Sequence, residues 1–264
     1  MVQLPGNKPG HRLVHAKGIV SQGTFAPSKD AAAVSRAAHF NDATVPVIVR
    51  FSDDAPNPGI ADSSPDSAPF GMAIRFKLSD GKETDIVAFS HNGFPVGTGE
   101  DFLSLQKAIV ATDPTKPHPW PVELFLSTRP RALKFVQDPK PTPVSFATEA
   151  FFGTNAWVFI NQQGVKHTGR YQILPVAGQH YVSDADGKAR LLIFSSKNSR
   201  LISSRNRLNF GFFCNSPISA IPQTMLRLSG RLTGRQLSWA RSRSRRLTLI
   251  AMRHQKRWHS TLHG

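Results

Sequence analysis

The chain has 264 residues, 39% of them apolar and 19% charged, which suits one large domain or two small ones with a sizeable buried core. No apolar run reaches membrane-spanning length and no basic-then-apolar leader opens the chain, so a cytoplasmic protein without a membrane partner is expected. The lone Cys214 excludes a disulfide framework and a thiolate metal cluster. The net charge of +16 points to a nucleic-acid partner only until it is divided along the chain. Residues 191–264 hold 14 of the 33 Lys and Arg and none of the 17 acidic residues, the last of which is Asp186, so the first 190 residues carry only +2.

In chain order, a short strand lies between Gly18 and Gly23, and the Ala-rich stretch Asp30–Phe40 reads as a helix. Val45–Phe51 is β-branched and short, a strand; Met72–Leu78 and Asp85–Phe89 are further strands, with Ser79-Asp80-Gly81 as the turn between them. From Gly99 the period becomes helical, with Phe102, Leu105, Ile109 and Val110 on one face. Pro114, Pro117, Pro119 and Pro121 interrupt the chain, and shorter helices follow at Pro121–Ser127 and Arg131–Val136. Val158–Ile160 and Tyr171–Leu174 return to strand character. The fold class is α+β. Beyond residue 191 proline is scarce, Arg241–Arg246 reads RSRSRR, and no amphipathic period is present. A poorly ordered basic extension is the expectation there.

Several motifs carry chemistry. Arg12-Leu13-Val14-His15-Ala16-Lys17-Gly18 precedes the first strand, Val49-Arg50-Phe51-Ser52 ends the second, and Asp85-Ile86-Val87 is followed by Ser90-His91-Asn92-Gly93-Phe94-Pro95. Taken singly, Arg50 reads equally as a strand-end salt-bridge partner, Ser52 as a turn-starting serine, and His91 as a loop histidine. Asp53-Asp54 with Asp62 and Asp66 could be paired carboxylates for a metal, but the surrounding Pro and Gly favour a solvated loop.

In this order and spacing, RLVHAKG, VRFSD, GMAIRF and the DIV strand resemble the catalase family, and SHNGFPVGTGEDF is similar to its short branch of catalase-related peroxidases. The resemblance covers residues 9–190. It implies an antiparallel β-barrel with surrounding helices, haem b as cofactor, and reduction of hydrogen peroxide or organic peroxides through an oxoferryl haem, with an organic electron donor and a homo-oligomer as further expectations. His15 then takes the distal acid–base role, for which an imidazole of near-neutral pKa is suited. Asn92 is the amide donor that orients the peroxide. Arg12 and Arg50 face the haem propionates, as guanidinium suits carboxylates. Ser52 fixes the tautomer of His15.

The resemblance also requires a proximal tyrosinate on a late helix. The sequence has only Tyr171 and Tyr181, both too early in the chain. The genetic code offers a reason. Codons that spell residues 191–199 can be read one base earlier as Pro-Asp-Phe-Leu-Phe-Glu-Glu-Leu. The same shift turns Asn209–Asn215 and Gln223–Arg245 into acidic, family-like stretches. Residues from about 191 onward are therefore expected to be out of frame, leaving the barrel incomplete at its C-terminal end and its activity doubtful. The competing reading makes the basic tail a binder of nucleic acid or another anionic surface. Against it stand the lack of an aromatic stacking pattern and of any known module.

Overall fold

The computed structural model describes residues 8–182, apart from positions 43 and 63, together with two later strands, Leu208–Asn215 and Leu226–Gly230. Its strands are β1 (Gly18–Ala26), β2 (Val45–Ser52), β3 (Gly71–Lys77), β4 (Glu83–Phe89), β5 (Phe151–Phe152), β6 (Trp157–Ile160), β7 (Lys166–Pro175), β8 (Leu208–Asn215) and β9 (Leu226–Gly230). All pair antiparallel, in the order β5-β4-β3-β2-β1-β9-β8-β7-β6, and the two-residue β5 also pairs with β7. The Ala-rich segment makes only α1 (Ala31–Val34) and a 3-10 turn at Ala38–Phe40; the longer helices are α2 (Gly99–Ala111), α3 (Pro121–Ser127) and α4 (Pro130–Gln137). Pro at the first helical position starts both α3 and α4, where the missing N–H costs nothing.

Alternation in β2 and β3 separates two faces. Val45, Val47, Val49 and Phe51 of β2 face inward with Met72, Ile74 and Phe76 of β3, Ile86 and Ala88 of β4 and Phe25 of β1, and all are buried. Phe51 stacks on Phe146 at 5.0 Å between centroids, and Phe25 meets Phe76 edge-on at 5.0 Å. Residues opposite one another in register share a face. The outer face therefore carries one row of Gly18, Ser52, Gly71 and Phe89, and the next of Val20, Arg50, Ala73 and Val87. The β3–β4 connection turns at Gly81, whose φ of 80° is natural only for glycine. A smaller cluster joins Val96 and Leu105 to Phe125 and Ala132 of the helices; Leu105 is buried, whereas Phe102, Ile109 and Val110 of the same helix are exposed.

The later strands depart from the sequence-based expectation of a sheet lacking its last members. β8 runs from Leu208↔Gly230 to Arg170↔Asn215 between β9 and β7, and β9 pairs with β1 through Thr24↔Ser229 to Ala26↔Arg227. The physical reason is local: LNFGFFCN and LRLSG are short apolar runs with three Phe and three Leu between them, and Phe favours strands. The edges of β1 and β7 offer unpaired backbone groups to any such segment. One compact unit spans Met1–Gly234; apart from β8 and β9, the tail beyond residue 182 lies outside the described residues.

Candidate functional site

His15 sits just before β1 with φ of 54°, the single positive value for a non-glycine among the described residues. Such a conformation costs on the order of 1–3 kcal/mol and persists where the surroundings over-determine it. Here they do. The His15 N–H donates to the carbonyl of Asp54 at 3.2 Å, and Ala16 N–H to that of Ala55 at 3.1 Å. The His15 carbonyl accepts from Arg50 Nη2 at 2.7 Å. Gly18 makes that last bond possible: a Cβ there would lie 2.7 Å from Arg50 Nη2 and 2.5 Å from the Phe51 carbonyl oxygen.

The imidazole is held on both nitrogens. Nδ1 lies 2.6 Å from the Asp53 carbonyl oxygen and 3.2 Å from Ser52 Oγ. A carbonyl only accepts, so Nδ1 carries a proton and the neutral ring has its lone pair on Nε2. Nε2 lies 3.3 Å from Asp54 Oδ1. Phe89 of β4 closes another side, its ring centroid 5.6 Å from that of His15. Beneath lies Gly71, where a Cβ would stand 2.9 Å from Ser52 Oγ and 3.2 Å from His15 Cε1. Burial holds the imidazole below its ordinary pKa; Arg50 and Arg12 push the same way, while the hydrogen bond to the Asp53 carbonyl opposes them. His15 is thus a neutral base near pH 7.

The loop after β2 is fastened by a buried ionic cluster. Lys17 Nζ stands 3.2 Å from Asp53 Oδ2, bonds Asp62 Oδ1, and donates to the Ile60 carbonyl at 2.5 Å. The carboxylates considered as a metal pair are in fact joined by an ammonium, and no cluster of three metal-ligating side chains exists among the described residues. Burial pushes Asp53 and Asp54 up to about 6 despite Lys17 beside Asp53.

Of the residues expected from sequence, His15, Ser52 and Arg50 come together. Arg50, on β2, uses its guanidinium on the His15 backbone, and burial followed by Arg12 lowers it to about 10. Arg12 is exposed and near enough for its charge to act on His15. Asn92 departs from expectation. β4 ends at Phe89 opposite Gly71, so the side chain delivered beside His15 is Phe89. Asn92 lies three residues further on, exposed, its Oδ1 accepting from Arg170 Nη2 at 2.9 Å. His91 is anchored 3.3 Å from Asp138 and edge-on to Phe135. Sequence reading missed Asp53, Asp54, Lys17, Gly71 and Phe89. The one available signal was the Asp53-Asp54 pair directly after Ser52.

Tyr171 is buried in the core edge-on to Phe159, and the Tyr181 hydroxyl donates to Gln179 at 2.7 Å and Glu149 at 3.3 Å. Neither belongs to the outer face of β1–β4.

The structure matches the fold of solved catalases: a fungal catalase superposes with a TM-score of 0.68 at 17% identity, over 84% of this chain and 50% of that one. The catalase family model matches residues 6–193. Catalase-related peroxidases from Mycolicibacterium paratuberculosis and Synechococcus elongatus are 35% and 31% identical over 188 and 191 residues, each alignment taking in 70% of this chain. The chain belongs to the catalase family. It spans 58% and 55% of the length of these two relatives.

Proposed function

We propose that this chain carries the distal half of a haem peroxidase pocket, built to reduce hydrogen peroxide or organic peroxides with an organic donor. The observation that carries the reading is the His15 ring, whose Nδ1 is tied to a carbonyl so that Nε2 is the basic nitrogen. In this reading His15 takes the peroxide proton at Nε2 and returns it to the departing oxygen. Ser52 and the Asp53 carbonyl keep the tautomer, and Phe89 excludes water from one side of the ring. Haem, when bound, supplies the redox-active iron at which the O–O bond is cleaved. Arg12, with Arg50 behind it, would face the propionates. Val87, exposed on the outer face, and Val20 and Ala73, half-buried beside it, fit a flat apolar group. The described residues fit the distal side of haem only, since Tyr171 and Tyr181 are both engaged elsewhere.

We further infer that the sheet is a barrel, supported by the pairing of β5 with both β4 and β7. Residues from about 191 onward are read here as out of frame. The family match ending at 193 supports this. A single-base insertion or deletion around codons 188–193 that restores an acidic frame is the expected result of sequencing the gene; its absence sinks the idea. For the pocket, haem added to the purified chain is expected to bind weakly and without a tyrosinate-type ferric spectrum. Tight tyrosinate-type binding with oxygen evolution from peroxide would overturn the view of the proximal side. No Soret change, together with salt-dependent DNA binding carried by the +14 of residues 191–264, would favour an anionic-surface binder.

A further inference from the structure

We infer that Asp54 is the proton partner of His15: its carboxyl faces Nε2, so the pocket accepts and returns protons through an imidazole–carboxyl pair rather than an imidazole alone. The inference rests on the reading of His15 as the pocket's base, and it concerns a residue that sequence reading assigned to a solvated loop.

The geometry has few solutions. Asp53 C=O, 2.6 Å from Nδ1, requires a proton on Nδ1. In the neutral ring Nε2 then presents a lone pair to Asp54 Oδ1 at 3.3 Å. An unprotonated Nε2 and a carboxylate oxygen at that distance repel, so a proton that arrives at either is held between them. The backbone enforces the meeting, because the same Asp54 accepts the His15 N–H through its carbonyl at 3.2 Å. One residue thus holds both the main chain and the basic nitrogen of His15. Asp53 cannot take this part: its carboxylate is turned to Lys17. The other groups facing the ring are Arg50 from β2, Arg12 ahead of β1, Ser52, and the uncharged Phe89 and Gly71 from β4 and β3. Among the charged ones, the two arginines disfavour imidazolium and the Asp53 carboxylate, turned to Lys17, favours it from a distance, while Asp54 is the carboxylate placed against Nε2. Burial brings the carboxyl to about 6, close enough to an imidazole for the proton to pass either way.

In operation, neutral His15 beside ionised Asp54 takes the peroxide proton at Nε2 and becomes imidazolium paired with that same carboxylate. The ion pair holds it until it is returned to the leaving oxygen. Proton count is conserved, and no oxidant enters this step.

The test is the titration of His15 in the full chain by NMR of histidine-labelled protein, the resonance among the ten histidines being assigned by its loss in His15→Gln. Asp54→Asn is expected to lower the His15 midpoint by about 1 pH unit, as loss of an opposite charge at this range does. It should also reduce a two-step curve to a single step. Asp54→Glu should restore the wild-type curve, which a merely structural role would not require. If Asp54→Asn disturbs the fold, Asp54→Ser and Asp54→Glu decide, because the midpoint must follow the carboxyl. Identical His15 curves in wild type and Asp54→Asn or Asp54→Ser overturn the inference. The measurement uses neither haem nor peroxide. A chain inert to both would sink the peroxidase reading and leave this result standing, whereas unchanged titration with peroxide turnover would sink Asp54 alone.

Discussion

The two faces of the β1–β4 sheet are built from alternate residues of the same strands, yet they follow different rules. Inward, Val47, Val49 and Phe51 meet Met72, Ile74 and Phe76, and space is filled by large side chains. Outward, Gly18, Ser52 and Gly71 leave room for His15 and Arg50, and the missing Cβ atoms decide the arrangement. Stability therefore resides on one face in apolar volume and on the other in fit. The inner face should lose energy in proportion to what is removed, the outer face to what is added.

The contrast can be broken or sharpened by mutation. Phe51→Ala removes a ring that is 1% exposed and stacked on Phe146, and should cost about 3–5 kcal/mol in chemical denaturation. A cost near zero would mean the inner face is not the stabilising one. On the outer face, Gly18→Ala adds one methyl against the Phe51 carbonyl and the Arg50 guanidinium. It should cost about 1–3 kcal/mol and shift the His15 resonance by freeing its carbonyl from Arg50. A silent Gly18→Ala would contradict the fit argument.

The inner face holds one group that pH can address. His39 is buried among Phe25, Phe40 and Phe76, its Nε2 has no hydrogen-bond partner among the described residues, and burial lowers it to about 4. Its folded pKa lies below the unfolded value of 6.5, so the unfolded chain binds the proton first. The stability it contributes is present above pH 6.5 and is lost as pH falls towards 4. His39→Phe should flatten that loss by about 1–2 kcal/mol between pH 7 and 5 in denaturation curves taken beside wild type. Asp53 and Asp54, raised to about 6, and Glu149, raised to about 7, act in the opposite sense, destabilising as pH rises, and cancel in the comparison. Ser52→Ala should have the smallest effect, about 0.5–1 kcal/mol, because Nδ1 keeps the shorter bond to the Asp53 carbonyl. A loss above about 2 kcal/mol would make Ser52 the main support of the ring.

Much of the site was legible before any coordinates. RLVHAKG and VRFSD named His15, Arg12, Arg50 and Ser52 as candidates, and the structure brings His15, Arg50 and Ser52 together. Asn92 follows the end of β4 at Phe89, is exposed and accepts from Arg170, a long-range contact that the loop sequence does not announce. The short α1 in place of a longer helix has the same kind of cause: Ser35 is already extended, and Arg36 N–H is bonded to the Ile160 carbonyl at 2.7 Å.

What the sequence determined by itself is local: period-2 strands, proline-started helices, the order of the motifs and the division of charge at about residue 190. These depend on neighbours in the chain. What only the tertiary structure decided is which groups meet across long separations. The Asp53 carbonyl on Nδ1, the Asp54 carboxyl on Nε2 and Phe89 over the ring are each brought to His15 by strand register. The pairing of β9 with β1 joins residues about two hundred positions apart. Register is a property of the whole sheet, set by backbone hydrogen bonding and burial together, and no single segment encodes it.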